Sequence, residues 1–403
     1  MIGKLLQITA FILFSLNITG AEPERKTFTS GGFEREYLVY VPSSTPASTP
    51  TGIIVALHGF NGSMNSFFEE YAMTALADSM NYVIVAPQAI PEQNNEVKNK
   101  AELLEILGKK IPLNAVWGCG LRVIAELFTV QFVNNELNKD VDDVMFLTEV
   151  INQTAHDYSL STDNIFLVGT SMGGYMAYQY ALKQPVKIAG VVSIAGSMGI
   201  NIKGKGEGKR APVCDFHSET DEVVPYSGSY NQSGATIQLA QKKTDVINYW
   251  REANGAGTAV VEKVDYYPST NNITVEKTTW SSDDNPVVHY KMNGSSHSYF
   301  FRRESGDCMD YVEEIGKFIY ANSSSHNEAV EPQSLLPYPN PADNVVFFGC
   351  TTGVATVYDN TGRVWLSERF EDGRMDVSSL RRGMYYVRIQ SDTQTQVFKL
   401  IKR

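Results

Sequence analysis

The chain has 403 residues, 43% hydrophobic and 20% charged, which is enough apolar material for one large core and a smaller second module. Its formal net charge is −11. That excess of acid, with no basic stripe along the chain, argues against a nucleic-acid partner.

Lys4 is followed by an apolar run from Leu5 to Ile18, broken only by Gln7, Thr9, Ser15 and Asn17, and then by Thr19-Gly20-Ala21. A positive residue, a short apolar stretch and small residues before a cleavage point read as a secretory signal over residues 1–21. The run is short for a membrane anchor and has no stop-transfer flank. No other segment is long and apolar enough to span a bilayer, so a secreted or surface-attached protein without a membrane span is expected.

From Lys26 to about Tyr320, strand-like and helix-like segments alternate. Tyr37 to Val41, Gly52 to Leu57, Tyr82 to Ala86, Asn164 to Val168 and Ile188 to Ala195 read as strands, several of them continuous apolar runs suited to burial on both faces. Glu69 to Met80, Val141 to Tyr158, Gly173 to Lys183 and Ala235 to Asn254 read as helices. This order predicts an α/β domain over residues 22–321, with a mostly parallel sheet and helices on both faces. Residues 91–138 interrupt the rhythm and carry Trp117, Cys119, Leu127, Phe128 and Phe132. They read either as a wall or lid of the site or as a surface excursion.

Residues 322–335 form a polar linker with Ser323-Ser324-Ser325. Residues 336–403 then read as a small all-β, sandwich-like module. Its strands fall at Asn344 to Phe348, Val354 to Tyr358, Arg363 to Ser367 and Met384 to Ile389, between turn signals such as Asp359-Asn360-Thr361-Gly362.

The four cysteines, Cys119, Cys214, Cys308 and Cys350, are too scattered for a zinc site. They allow three full pairings. A Cys119–Cys308 disulfide and isolated buried thiols both remain open, and Cys214 reads as core.

The chemistry centres on Gly169-Thr170-Ser171-Met172-Gly173. This G-x-S-x-G pentapeptide follows a strand and opens a helix, the setting of the nucleophile elbow of α/β-hydrolases. The tight turn lifts Ser171 Oγ above the sheet, and the helix N-terminus favours negative charge beside it. A serine hydroxyl needs a base, and in this fold the acid and then the histidine follow in sequence.

Of the six histidines, His58 and His156 precede Ser171, His217 precedes the acid loop, His289 lies in a strand and His326 lies in the linker. His297, in the small-residue loop from Met292 to Tyr299, is the expected base. Asp221, just past the strand Pro212 to Phe216, is the expected acid, with Glu219, Glu222 and Asp215 as competitors. The backbone N–H groups of Met172, after the nucleophile, and Phe60, in Leu57-His58-Gly59-Phe60, are the expected oxyanion donors. His58 reads as a brace for its loop.

This region resembles the secreted esterases that include polyhydroxybutyrate depolymerases and feruloyl or acetyl-xylan esterases. The resemblance is carried by Leu57-His58-Gly59, Val141 to Leu147, Asn164 to Tyr178, Ala195-Gly196 and the Asp221 loop ending Val224-Pro225-Tyr226. It covers most of residues 30–300 and implies an α/β-hydrolase fold and ester cleavage without a cofactor or metal. Two positions depart from it. Ser218 stands where the family usually has glycine, and Ser298-Tyr299-Phe300 follows His297 where many relatives carry tryptophan-proline.

The tail is similar to the C-terminal sorting domains of type IX secretion cargo. The similarity rests on Tyr338-Pro339-Asn340-Pro341-Ala342, on Leu380 to Val387 and on the basic close Lys399-Leu400-Ile401-Lys402-Arg403. It implies a secretion machinery as partner, with a carbohydrate-binding or spacer module as the other reading. The expected function is hydrolysis of carboxylic esters through an acyl-enzyme on Ser171, on feruloyl or acetyl groups of plant polysaccharide or on polyhydroxyalkanoate-type esters. A serine peptidase on the same fold and a surface binding protein that has lost catalysis are the alternatives.

Overall fold

A computed structural model of the protein describes residues 22–42, 50–69, 73–100, 105–106, 109–110, 113–127, 130–200, 209–232, 234–264, 272–297, 309–324, 342, 344–348, 352–359, 362–371, 373–390 and 395–403. The signal expected at residues 1–21 and the linker beyond residue 324 lie outside them. The chain divides into two compact units, residues 1–325 and 326–403.

The first unit begins with the strands β1 (Glu24–Ser30), β2 (Phe33–Tyr40) and β3 (Gly52–Leu57), the helices α1 (Ser66–Glu69) and α2 (Met73–Met80), and β4 (Tyr82–Pro87). Residues 91–138 hold α3 (Asn95–Lys100), the short pair β5 (Glu105–Ile106) and β6 (Lys109–Lys110), and a hairpin of β7 (Arg122–Leu127) and β8 (Val130–Glu136). Then follow α4 (Asp143–Asp157), β9 (Ile165–Thr170), α5 (Met172–Lys183), β10 (Gly190–Ile194) and β11 (Val213–Ser218). The unit closes with β12 (Ser229–Gln232), β13 (Ala235–Gln238), α6 (Lys243–Asn254), β14 (Ala259–Val264), β15 (Thr274–Trp280), β16 (Val287–Asn293) and α7 (Tyr311–Ala321).

Ten strands form the main sheet, in the order β1-β2-β4-β3-β9-β10-β11-β16-β15-β14. The run from β4 to β16 is parallel, and both margins are antiparallel. The parallel centre follows from composition. Strands β3, β4, β9, β10 and β11 are buried at every residue, so they need cover on both faces. On one face Ile53, Val55, Leu167 and Val191 pack with Leu147, Met176 and Trp250 of α4, α5 and α6. On the other, Ile54, Ala56, Phe166 and Val192 pack with Leu76, Ile315 and Phe318 of α2 and α7.

Helix α4 starts where the Asp142 carboxylate accepts from Met145 N at 3.0 Å. It buries Val144, Leu147, Val150 and Ile151 along one stripe. Asp143, in its first turn, is fully buried and pairs with the buried Arg35 of β2, whose guanidinium lies 3.7 Å from the Phe146 ring centre. Asp143 also accepts from Gly118 N at 2.6 Å, so one carboxylate ties β2 and the 91–138 segment to the helix.

Two expectations are corrected. The helix read from Ala235 to Asn254 is a strand and then a helix: β13 pairs with β7, and α6 begins only at Lys243. Helical periodicity was sound for Val246, Ile247 and Trp250 but did not extend to the Ala235–Gln238 segment, which adds to a second sheet ordered β12-β13-β7-β8. Cys119 and Cys214 are buried free thiols, so the Cys119–Cys308 pairing is not formed. Cys119 sits in the core beside Val116 and Trp117, and burial pushes its thiol up to about 12. Cys308 and Cys350 lie outside the described residues.

In the second unit the strands Val364–Phe370, Gly353–Tyr358, Gly383–Gln390 and Thr395–Lys402 form an antiparallel sheet in that order. A two-stranded sheet of Val345–Phe347 and Arg374–Asp376 contributes Val346 and Met375 to the same core as Ala355, Val357, Val387 and Leu400. Strand Gly383–Gln390 alternates exposed and buried positions, as a sheet with one wet face requires. Among the described residues, no helix is long and apolar enough to cross a membrane.

Removing one partner of the Arg35–Asp143 pair leaves a buried guanidinium uncompensated. Asp143→Asn is expected to lower the unfolding free energy by about 3 kcal/mol in urea titrations, and an unchanged midpoint would show that the pair is dispensable.

Candidate active site

Ser171, Asp221 and His297 follow the C-terminal ends of β9, β11 and β16, the end of an open α/β sheet where sites form. Ser171 is the residue between β9 and α5, with φ 51° and ψ −119°. A non-glycine residue there carries strain of about 1–3 kcal/mol and persists only where its surroundings hold it. Here Ser171 N donates to Ile194 O at 2.7 Å, and Ser171 O accepts from Gly174 N at 2.9 Å. A Cβ on Gly173 would collide with the Leu57 and His58 carbonyls, so glycine is what lets α5 close against the end of β3.

His297 Nε2 lies 3.0 Å from Ser171 Oγ, and His297 Nδ1 lies 2.8 Å from Asp221 Oδ2. A carboxylate only accepts, so Nδ1 carries the proton and Nε2 is free to accept from the serine hydroxyl. Asp221 Oδ1 accepts from Val223 N at 2.9 Å and Val224 N at 2.8 Å, while His217 Nε2 stands 3.5 Å from Oδ2. Burial by itself would raise the Asp221 carboxyl, but the hydrogen bond from His297, the nearby histidines and the Val224 amide hold it below the usual aspartate value.

The histidine loop is tethered to the acid loop. Ser218 Oγ donates to Ser295 O at 2.6 Å and Thr220 Oγ1 donates to the same oxygen at 2.7 Å. Glu222 Oε2 accepts from His297 N at 3.2 Å. Ser218, the departure from the esterase pattern, is thus a buried donor to the loop that carries His297. Residues 298–300, the other departure, lie outside the described residues.

The competing residues do other things. Glu222 braces the His297 backbone, Glu219 lies 3.5 Å from Lys291, and Asp215 pairs with Lys243 at 2.8 Å. His58 bonds Gly59 O through Nδ1 at 2.7 Å and accepts from Ala89 N at Nε2, and burial lowers it to about 4. That is the brace expected of it. His289 contacts Asp215, His156 is exposed beside Asp157, and His326 lies outside the described residues.

The loop that carries Phe60 lies against Ser171: a Cβ on Gly59 would stand 3.3 Å from Ser171 Cβ. Met172 is the first residue of α5, where backbone N–H groups lack helical acceptors. Two contacts that the sequence did not reveal hold the Phe60 loop from residues 113–118. Trp117 Nε1 donates to His58 O at 2.9 Å, and Asn61 N donates to Ala115 O at 2.9 Å. Trp117, the one tryptophan in residues 91–138, was the available signal.

An open cleft of about 630 Å³, lined by Ser229, Gln238, Asn248, Tyr249 and Glu252 among others, adjoins a smaller one against Asp221 and Tyr226 through the shared Ser227 and Lys242. Neither is lined by Ser171 or His297 among the described residues.

Residues 125–251 match a family described as phospholipase/carboxylesterase, and residues 337–403 match a secretion system C-terminal sorting domain. The bifunctional acetylxylan esterase/xylanase XynS20E of Neocallimastix patriciarum is 23% identical over 270 residues, 66% of this chain and 31% of its own length. A probable feruloyl esterase C of Aspergillus flavus is 24% identical over 197 residues, 48% of this chain and 58% of its own length. The chain therefore spans between about a third and three fifths of the relatives it matches. An acetyl xylan esterase from Aspergillus awamori aligns over 73% of this chain and 98% of its own, with a TM-score of 0.47 and 13% identity.

The depressed Asp221 carboxyl links the site to stability. Its contribution is complete above the unfolded-state value of 3.8 and is lost as pH falls through the lower folded value. Urea midpoints of wild type and Asp221→Asn are expected to converge below pH 3.8; a gap independent of pH would show that the charge is not what is stabilised.

The first unit has the α/β-hydrolase fold and a segment matching a carboxylesterase family, and the matched sorting domain directs the chain through type IX secretion to the cell surface or beyond.

Proposed function

We propose that this protein is an exported serine esterase that cleaves carboxylic esters through an acyl-enzyme. The observation that carries the reading is the continuous line from Ser171 Oγ to His297 Nε2 at 3.0 Å and from Nδ1 to Asp221 at 2.8 Å. His297 takes the Ser171 proton as Oγ bonds the ester carbonyl carbon. The N–H groups of Phe60 and Met172 receive the oxyanion. When the intermediate collapses, the C–O bond to the alcohol breaks and His297 returns the proton to the leaving alkoxide. Water, activated by the same imidazole, then releases the acid. Asp221 holds the Nδ1–H tautomer and stabilises the imidazolium.

The substrate class is acetyl or feruloyl esters on plant polysaccharide. Support comes from the relatives, which are described as acetylxylan and feruloyl esterases.

A fluorophosphonate probe is expected to label the wild type and not Ser171→Ala, with turnover of p-nitrophenyl acetate falling on the order of 10⁶-fold in that variant. Equal labelling of both proteins would end the nucleophile assignment. Activity on aminoacyl amides alone, with none on methyl ferulate, acetylated xylan or hydroxybutyrate oligomers, would replace the esterase reading with a peptidase.

A further inference from the structure

Behind the acid loop lies a second buried cluster of charges that the proposed reaction does not use. Asp215 is fully buried, two residues before His217 on the same face of β11. Its Oδ2 receives Lys243 Nζ at 2.8 Å and the Tyr178 hydroxyl at 2.8 Å. Its Oδ1 lies 2.9 Å from His289 Nδ1, a close contact rather than an aligned hydrogen bond, and His289 Nε2 meets the Tyr226 hydroxyl at 2.9 Å.

Lys243 is the unusual member. It is 1% exposed, and it is the first residue of α6, so its ammonium sits at the positive end of the helix dipole. Burial and the dipole both oppose a cation there. Desolvation accordingly draws the ammonium below its usual range, although Asp215 pulls the other way.

The contacts it makes in return join three parts of the site. Nζ donates to Gly196 O at 2.7 Å as well as to Asp215, and its own N–H donates to Tyr226 O at 2.9 Å. Gly196 is pressed behind the nucleophile, since a Cβ there would stand 2.9 Å from Ser171 O. Tyr226 ends the acid loop. One side chain thus links the loop behind Ser171 to the strand leading into Asp221.

The charges are balanced in the same place. Asp215 and Asp221 are two buried carboxylates; Lys243 pairs directly with the first and feels the second only through its charge. His217 Nε2 bonds Val224 O at 2.8 Å and faces Asp221 as a neutral donor. Burial first, and the Lys243 charge second, hold its imidazole down to about 4. Tyr226, which also feels Glu219 and Glu276, is kept as the phenol by burial.

We propose that Lys243 is a positioning residue of the site, tethering the Gly196 loop behind Ser171 and supplying the cation that offsets Asp215 beneath the Asp221–His297 pair. This rests on the triad reading above.

The test compares Lys243→Met, Asp215→Asn and the double variant with wild type on p-nitrophenyl acetate across pH, alongside thermal melts. In K243M, kcat is expected to fall on the order of 10²-fold, the scale of a misplacement of about 1 Å, with KM within roughly twofold. Its acid limb in kcat/KM should move to higher pH, because the cation that helps hold the His217 imidazole down is gone while the Asp215 charge stays. In the double variant, which removes both charges, the limb should return to the wild-type position while kcat stays low, since the Gly196 tether is still missing.

A folded K243M with the wild-type limb overturns the charge role, and a double variant with wild-type kcat overturns the tether. If K243M does not fold, the double variant still reads the tether, and the D215N limb, expected at lower pH, reads the charge role. Ser171→Ala separates the two hypotheses. If it remains active the triad reading fails. If it is dead while the Lys243 variants behave as wild type, only this inference fails.

Discussion

The first turn of α5 meets the end of β3 backbone to backbone, with Gly173 against the carbonyls of Leu57 and His58. Any larger residue would push the helix off the sheet, and three other features depend on that distance. The first is the strained conformation of Ser171, which is held between Ile194 O and the amide of Gly174. The second is the approach of the Gly59–Phe60 turn to Ser171. The third is the direction in which the N-terminus of α5 points. Strain, approach and dipole are set together because β3, β9 and α5 share one buried junction.

Three buried carboxylates around that junction each meet named partners. Asp221 is satisfied by two backbone amides and His297, Asp215 by Lys243 and Tyr178, and Asp143 by Arg35 and Gly118. Each of these carboxylates is buried, and an uncompensated one would cost more than a neutral packed side chain. Asp221 differs from the other two in its partner. His297 is partly exposed, whereas Arg35 and Lys243 are buried.

Much of this was legible in the residues. Continuous apolar runs such as Gly52–Leu57 and Ile165–Thr170 announced buried parallel strands, and the pentapeptide around Ser171 announced the elbow because both its neighbours had the right period. The margins were harder to read. Glu24–Ser30 is polar but for Phe28, and Ala259–Val264 is exposed at every residue but its last despite three valines, since an edge strand has one neighbour and a wet face, so neither shows the pattern of a buried strand. Ala235–Gln238 ran without punctuation into α6, and only its pairing with β7 makes it a strand. For the site, the ordered triple Ser171, Asp221 and His297 could be read because chain order is a property of the sequence. The Ser218 and Thr220 bonds to Ser295 O could not, because they join residues about 75 apart through a shared acceptor that no spacing rule describes.

Residues 113–118 are joined to the Phe60 loop by the Trp117 and Asn61 bonds, and to α4 by the bond from Gly118 to Asp143. The segment is thereby divided in its freedom to vary. Its root belongs to the hydrolase scaffold, and exchange there would disturb the turn that faces Ser171. Modular replacement, in evolution or in engineering, has to be grafted between fixed joints, leaving Ala115, Trp117 and Gly118 in place while the arm between them and α3 is rewritten.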